Sequence, residues 1–126
     1  MNGPLTGFRV LDLTTMVSGP VATMMLGDQG ADVIKIEPID GEYMRKAGVK
    51  HRGMPNGFLS CNRSKRSLSI NLKSEEGVVA VKRLLANTDV LVQNFRPGAI
   101  ERMGLGEAVA REIRPDIIFV SISGFG

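Results

Sequence analysis

The sequence contains one cysteine, one histidine, few aromatic residues and no long hydrophobic run. Cys61 has no second cysteine for an intramolecular disulfide, which agrees with a reducing compartment. Together, Cys61 and His51 are too few for a metal cluster, so we predict a packing role for the first and a solvated loop position for the second. Apolar runs such as 117–120 are far shorter than the roughly 20 residues of a membrane helix. We therefore expect a soluble protein without a metal.

Targeting and nucleotide-binding motifs are also absent. Residues 1–7 lack the basic region and apolar stretch of a secretory signal, so we predict a cytoplasmic protein. Residues 15–19, after the first predicted strand, lack the second and third glycines of a dinucleotide fingerprint, and no Walker-type phosphate loop occurs. Ordinary nicotinamide and nucleoside triphosphate binding are therefore disfavoured.

The carboxylates form no pair typical of general acid and base catalysis. We interpret the dispersed acidic residues as capping or surface-paired groups. They are Asp12, Asp28, Asp32, Glu37, Asp89 and Asp116.

Acidic residues are missing between Glu42 and Glu75, although the net charge of the whole chain is only +3. The same interval holds eight of the sixteen basic residues: Arg45, Lys46, Lys50, Arg52, Arg63, Lys65, Arg66 and Lys73. A field of one sign favours a polyanion, either a phosphorylated cofactor or a nucleic acid, and the alternative is a solvated loop. We expect Arg63, Lys65 and Arg66 to be available to phosphates.

The chain has the length and composition of one folded domain, with 126 residues and 43% hydrophobic residues. Strand-like patterns at 9–13, 32–37, 67–72, 89–94 and 116–121 alternate with helical patterns at 20–29, after Ser74 and at 107–113. Ser18 and Ser74 are predicted helix caps. Residues 39–57 show no period, and we predict one long basic loop over about 39–66.

Strands rich in Val, Ile and Leu that alternate with helices predict an α/β fold. The sheet should be mainly parallel, with helices on both faces. Its ligand should lie at the carboxyl ends of the strands, near residues 14–18, 37–38, 94–95 and 121–126.

Residues 94–98, with the sequence NFRPG, place an amide, an aromatic ring and a guanidinium at one strand end before a helix. Such a group can hold a planar ring and a phosphate together. The alternative is a helix-entry turn with Phe95 in the core.

Several ordered motifs resemble the class III coenzyme A (CoA) transferase family, also called CaiB/BaiF-like and including formyl-CoA transferases. They are GFRVLDLT at 7–14, SGP at 18–20, LGDQGADVIKIEP at 26–38, NRSKRSL at 62–68, NFRPG at 94–98 and SISGFG at 121–126. The resemblance covers nearly the whole chain. It implies a Rossmann-like domain, an interlocked homodimer, and transfer of CoA between carboxylic acids through a covalent aspartyl intermediate.

The resemblance also implies which residues contact CoA, here a co-substrate carried as acyl-CoA. They are Met16, Val17, Ile70, Lys73, Asn94, Phe95, Ala99, Arg102 and Met103. Lys73 and Arg102 offer charge to phosphates, while Phe95 offers an apolar wall. Some formyl-type relatives have glutamine at the position of Val17 and arginine at that of Pro38, so a formate-like substrate is disfavoured.

No aspartate of this chain matches the catalytic aspartate of the family. We therefore expect residues 1–126 to be the N-terminal part of a larger CoA-binding domain, inactive alone, with the catalytic residue beyond Gly126. Two alternatives stay open. An α-methylacyl-CoA racemase of the same fold family would use a histidine and an aspartate, also beyond Gly126, and a basic α/β module would bind a nucleotide or nucleic acid without catalysis.

Overall fold

A computed structural model describes residues 2–126 as one α/β fold. The elements, in chain order, are β1 (Arg9–Asp12), α1 (Ser18–Asp28), β2 (Asp32–Glu37), a 3-10 helix (Tyr43–Arg45), β3 (Lys50–His51), β4 (Met54–Pro55), α2 (Asn56–Asn62), β5 (Lys65–Ser69), α3 (Glu75–Leu85), β6 (Val90–Gln93), α4 (Ala99–Arg102), α5 (Glu107–Ile113) and β7 (Ile118–Ser121). In the described part of the chain, no helix is long and apolar enough to cross a membrane.

The main sheet has five strands in the order β5-β2-β1-β6-β7, and every pair is parallel. The central strand β1 pairs Val10 with Val33 of β2 on one side and with Val90 of β6 on the other. The chain adds β2 and β5 outward from β1 and then crosses to β6 and β7. The order therefore reverses between β1 and β6, and open α/β sheets form ligand crevices at such a reversal.

Helices cover both faces of the sheet, as predicted. On one face, Leu11, Ile34 and Leu91 pack with Val81 of α3 and Ala110 of α5. The opposite face has a smaller apolar core, in which α1 contributes Leu26. The inner strands are buried on both faces, unlike the edge strands β5 and β7, which explains why the inner strands are rich in branched aliphatic residues.

Ser74 caps α3, as predicted, because its Oγ accepts the Gly77 N–H at 3.1 Å. Ser18 does not cap α1. The N-cap residue is Val17, and no side chain there accepts a hydrogen bond from the helix. Ser18 lies one residue inside the helix, where its hydroxyl cannot take the capping position.

The segment 39–66 is more structured than the single loop predicted from its sequence. It holds the 3-10 helix, an antiparallel pair of two-residue strands and the seven-residue helix α2. Phe58 and Cys61, one turn apart on α2, are both buried, and α2 packs against α1. Burial of one apolar face therefore stabilises this helix although it has no side-chain cap. Cys61 packs as predicted, and His51 is exposed on β3.

Candidate functional site

A groove with a volume of about 1000 Å³ lies at the carboxyl ends of β1, β2 and β5, beside α3 and α4. Its apolar walls are formed by Leu13, Ile36, Pro38, Ile39, Ile70, Leu72, Val78, Phe95, Ala99 and Met103. Its polar lining residues are Thr15, Glu37, Asp40, Asn71, Lys73, Ser74, Glu75 and Arg102. Apolar walls with a small number of polar groups are typical of small-molecule and cofactor sites.

Six of the nine residues that the sequence predicts to contact CoA line this groove. They are Ile70, Lys73, Phe95, Ala99, Arg102 and Met103. The β5–α3 loop and the segment around α4 supply them, although these segments lie about 30 residues apart in sequence. The fold therefore brings together residues that the sequence separates.

The remaining three predicted residues lie beside the groove rather than in its wall. Asn94 holds the groove residue Thr15 through two bonds: its Oδ1 accepts the Thr15 N–H at 2.9 Å, and its Nδ2 donates to the Thr15 carbonyl at 2.8 Å. Met16 and Val17 follow on the same loop and are 46% and 50% exposed. The two Asn94–Thr15 hydrogen bonds join the loops that follow β1 and β6, at the point where the strand order reverses.

Lys73 and Arg102 differ from most of the basic residues in the chain. Both line the groove, and neither forms an ion pair with any of residues 2–126. A cation with no carboxylate partner is available to an anionic ligand. The groove therefore presents two such cations between apolar walls.

The basic segment between Glu42 and Glu75 is largely neutralised by the fold. Five of its eight cations pair with carboxylates that precede it in sequence: Arg45 with Glu37, Lys46 with Asp40, Arg63 with Asp28, Lys65 with Asp12 and Arg66 with Asp32. The expectation that Lys65 would be available to phosphates is thus wrong, whereas Arg63 and Arg66 are exposed in pairs with carboxylates. Their partners lie on or at the ends of elements that the sheet places alongside them.

Lys65 is the most deeply enclosed of these cations. Its side chain is 2% exposed, and its Nζ donates to Asp12 Oδ2 at 2.9 Å, to the Pro20 carbonyl at 2.8 Å and to Asn62 Oδ1 at 2.9 Å. Burial lowers the pKa of the Lys65 ammonium, and the charge of Asp12 opposes that shift. All three donors are used, so Lys65 connects β1, α1 and α2.

Asp12 and Glu37 are buried, which corrects their interpretation as capping or surface-paired groups. Asp12 is completely buried and accepts hydrogen bonds from Thr14, from Thr23 Oγ1 at 2.7 Å and from Lys65. Glu37 is 1% exposed and accepts two bonds of 2.6 Å from Arg45 and one of 2.7 Å from Ser67. Both are the last residues of inner strands, Asp12 of β1 and Glu37 of β2.

The other four carboxylates pair with arginines in partly or fully exposed positions. Asp28 pairs with Arg63 and Asp32 with Arg9 and Arg66. Asp89 and Asp116 both pair with Arg114. For these four residues, the interpretation as surface-paired groups agrees with the structure.

Burial raises the pKa of the Glu37 carboxyl, but hydrogen bonds from Arg45, Ser67 and the Glu42 backbone N–H outweigh that effect and lower the pKa to about 2. Because the folded pKa is below the ordinary value of 4.5, Glu37 stabilises the fold above that value. This contribution decreases as the pH falls from 4.5 towards 2. The Arg45 guanidinium also lies 4.0 Å from the centre of the Phe58 ring.

Arg45→Met is expected to lower the free energy of unfolding at pH 7 by about 2 kcal/mol, because it leaves the Glu37 carboxylate buried without its cation. The difference from the unchanged chain should shrink as the pH falls from about 5 towards 2, where Glu37 becomes protonated. Urea unfolding at several pH values measures both effects. Lys46→Met is the matched control, since the Lys46–Asp40 pair is exposed and its loss should be much smaller. Equal losses for the two variants would contradict the prediction.

Several residues of the groove are not predictable from the sequence. The rule that ligands bind at strand ends predicted the neighbourhood of Thr15 and Pro38 but not the contribution of α3, whose first turn adds Glu75 and Val78. The predicted strand end at 121–126 does not line the groove. Only the helical spacing of Val78 was visible in the sequence, and it indicates a core position as readily as a groove wall.

The strand order, the helices on both faces and a groove at the strand ends define a Rossmann-like α/β domain, with the groove at the edge where such sheets usually bind ligands. The model of CoA-transferase family III matches residues 5–126, and the chain belongs to this family.

Relatives of the chain are named as CoA-transferases. It is 43% identical over 125 residues to the succinyl-CoA–L-malate CoA-transferase beta subunit of Chloroflexus aurantiacus, covering 98% of this chain and 31% of the relative. It is 46% identical over 125 residues to the succinyl-CoA:glutarate CoA-transferase of Homo sapiens, covering 98% of this chain and 28% of that protein. The chain thus spans about a third of the length of these relatives.

Among solved structures, a CAIB/BAIF family protein from Brucella suis is similar throughout the chain. The two superpose with a TM-score of 0.94 at 38% identity, covering 100% of this chain and 35% of that one. The prediction of family and fold from sequence motifs is therefore confirmed.

Proposed function

We propose that this chain is the CoA-binding N-terminal part of an enzyme that moves CoA between carboxylic acids. The observation that carries the proposal is the pair of cations without carboxylate partners, Lys73 and Arg102, in an otherwise mostly apolar groove at the strand ends. CoA combines phosphates with an adenine ring and an uncharged pantetheine arm. A groove with these two kinds of surface is complementary to it.

The groove supports a division of contacts along the CoA molecule. Lys73 and Arg102 are proposed to bind phosphate oxygens, while Phe95, Met103 and Ile70 pack against adenine or pantetheine. Asn94 would act through Thr15, whose position it fixes by two hydrogen bonds. Met16 and Val17, exposed on the same loop, are proposed to contact the thioester end of the ligand.

The covalent step is proposed to use an aspartate outside these 126 residues. Its carboxylate would attack the acyl thioester carbonyl and release CoA thiolate, forming a mixed anhydride. The thiolate would then attack the aspartyl carbonyl, giving an enzyme thioester and the first free acid. The acceptor carboxylate would then attack the aspartyl carbonyl of the enzyme thioester and release CoA thiolate, forming a second mixed anhydride. Attack of the thiolate on the new acyl carbonyl would form the new acyl-CoA and release the aspartate.

Residues of this chain would hold and orient CoA during those steps. Two of the three carboxylates that line the groove are already paired, Glu37 with Arg45 and Asp40 with Lys46, and the third, Glu75, lies in the first turn of α3. We further propose a homodimer, as the family resemblance implies, in a cytoplasmic setting. Two relatives named above are succinyl-CoA transferases, so succinyl-CoA is the first donor to test.

Isothermal titration of CoA into the protein that carries this chain tests the proposal. Lys73→Ala and Arg102→Ala should each weaken CoA binding by about tenfold or more, because each removes a charge-assisted contact to phosphate. Dephospho-CoA should bind more weakly than CoA. Arg83→Ala is the control, because Arg83 is exposed on α3 but does not line the groove.

Three results would contradict the proposed function. First, the unchanged protein shows no measurable binding of CoA. Second, the Arg102→Ala variant binds CoA as tightly as the unchanged protein. Third, the protein binds random duplex DNA with an affinity that depends steeply on salt. The last result would favour the non-catalytic nucleic-acid-binding module instead.

A further inference from the structure

Lys35 lies within the central part of the sheet although it carries a charge. Its side chain is 1% exposed, and its Nζ donates to the Thr14 carbonyl at 2.9 Å. The same Nζ lies 3.1 Å from Glu42 Oε2, and the Glu42 side chain is completely buried. Lysine and glutamate are almost never fully buried unless they are paired, because removal of a charge from water is costly.

The partners of Lys35 belong to two different loops that border the groove. Thr14 precedes the groove residue Thr15 in the loop between β1 and α1. Glu42 follows the groove residues Pro38 and Asp40 in the segment after β2. One ammonium group therefore connects the two loops, and neither Lys35 nor Glu42 lines the groove itself.

Each loop is also fixed to the strand from which it emerges. Asp12 accepts hydrogen bonds from the Thr14 N–H, at 2.9 Å, and from its hydroxyl. Glu37 Oε2 accepts the Glu42 N–H at 3.2 Å. These bonds fix each loop to its own strand, whereas Lys35 provides a connection between the loops.

The charged groups around Lys35 balance in number. The buried Lys35 and Lys65 and the partly exposed Arg45 pair with three carboxylates, Glu42, Asp12 and Glu37. Burial raises the pKa of the Glu42 carboxyl, and the charge of Lys35 opposes that shift. Loss of one member would leave an opposite charge in a site with little water. The loops would then have to move to hydrate or cover that charge, so the change would reach the groove walls.

We propose that Lys35 and Glu42 are positioning residues that set the spacing between the two groove walls and thereby control the affinity for CoA. The pair acts without contacting the ligand, through Thr14 on one side and the segment that follows Glu37 on the other. This inference rests on the proposed function, because it assigns the groove to CoA.

The test compares Lys35→Met, Glu42→Gln and the double variant in the protein that carries this chain. CoA affinity is measured by titration calorimetry below the unfolding temperature of each variant. Each single variant should bind CoA about tenfold more weakly, and the double variant should bind no more weakly than the weaker single variant, because one change already breaks the connection. Glu107→Gln, which removes an exposed carboxylate from its pair with Arg111, should leave the affinity unchanged.

Amide hydrogen exchange without ligand provides an independent measurement. Residues 14–17 and 39–42 should exchange faster together in each single variant. A lower melting temperature with unchanged CoA affinity and unchanged exchange would show a merely structural role and overturn the inference. The inference would also be overturned if the losses of CoA affinity in the two single variants added up in the double variant. If a variant does not fold, the exchange of the unchanged protein is compared with and without CoA. CoA binding should then slow exchange in both loops in parallel, and slower exchange in only one loop would overturn the inference.

The results separate this inference from the proposed function. If the unchanged protein does not bind CoA, the proposed function fails, and the assignment of the pair to CoA affinity fails with it, whatever exchange shows about the loops. If the unchanged protein binds CoA and the variants bind it equally well, only the inference fails.

Discussion

Asp12→Asn is expected to lower the free energy of unfolding by about 3–5 kcal/mol, the range found when one partner of a buried ion pair is removed. Asp12 is completely buried and accepts hydrogen bonds from Thr14, Thr23 and Lys65. Asparagine is close to aspartate in size, so the change creates no cavity. It removes the charge that balances Lys65 and places an amide N–H₂ where an acceptor is needed.

Urea unfolding at pH 7, followed by circular dichroism, measures this loss. Asp116→Asn is the matched control: the Asp116 side chain is 75% exposed in its pair with Arg114, so the same chemical change should have little effect. Two variants of equal stability would show that the buried pair contributes no more than the exposed one. The environment of Asp12 described above would then be wrong.

Gly77→Ala is expected to destabilise the chain by about 3 kcal/mol, although alanine is the better helix former. Gly77 lies in the first turn of α3, and a Cβ atom there would overlap the backbone carbonyl of Asn71. That carbonyl accepts both the N–H and the hydroxyl of Ser74, the residue that caps the helix. The clash is with backbone, so a side-chain rotation cannot relieve it.

Thermal unfolding of Gly77→Ala and Gly57→Ala compares two glycines near the start of a helix. A Cβ on Gly57 would meet only the terminal methyl of Met44, at 2.8 Å, and a flexible side chain can move away. Gly57→Ala should therefore be neutral or stabilising by up to about 1 kcal/mol, as expected from helix propensity. Equal melting temperatures for the two variants would contradict the close approach of α3 to the Asn71 loop.

Most of the regular elements were predictable because their signals are local, although the strand predicted at 67–72 is observed as β5 at Lys65–Ser69. The run DVIKIE with Pro38 after it gave the bounds of β2 as they are observed, and the helix at 107–113 was also predicted with its observed bounds. In contrast, α2 has only Phe58 and Cys61 as a buried face. Two apolar residues in a helix without a side-chain cap make too short a pattern to recognise, and contacts distant in sequence stabilise the helix.

The candidate site was predictable only in part, for a related reason. Residue types and family motifs indicated Lys73 and Arg102, whose side chains line the groove. The same residue types also indicated Lys65, whose partner Asp12 lies 53 positions earlier in the sequence. Only tertiary structure shows which cation meets a carboxylate, so a basic segment alone does not predict an anion site.

The strand order has a consequence for how this chain folds. The centre of the sheet forms between segments that are far apart in sequence: the Arg9 N–H donates to Asp89, eighty residues later. Such pairings slow folding, because a long loop must close before the contacts form. During synthesis, β1 can pair with β2 early, but its other edge stays open until β6 has emerged. We expect this open edge to be the main route to aggregation of partly synthesised chains and a natural site for chaperone binding.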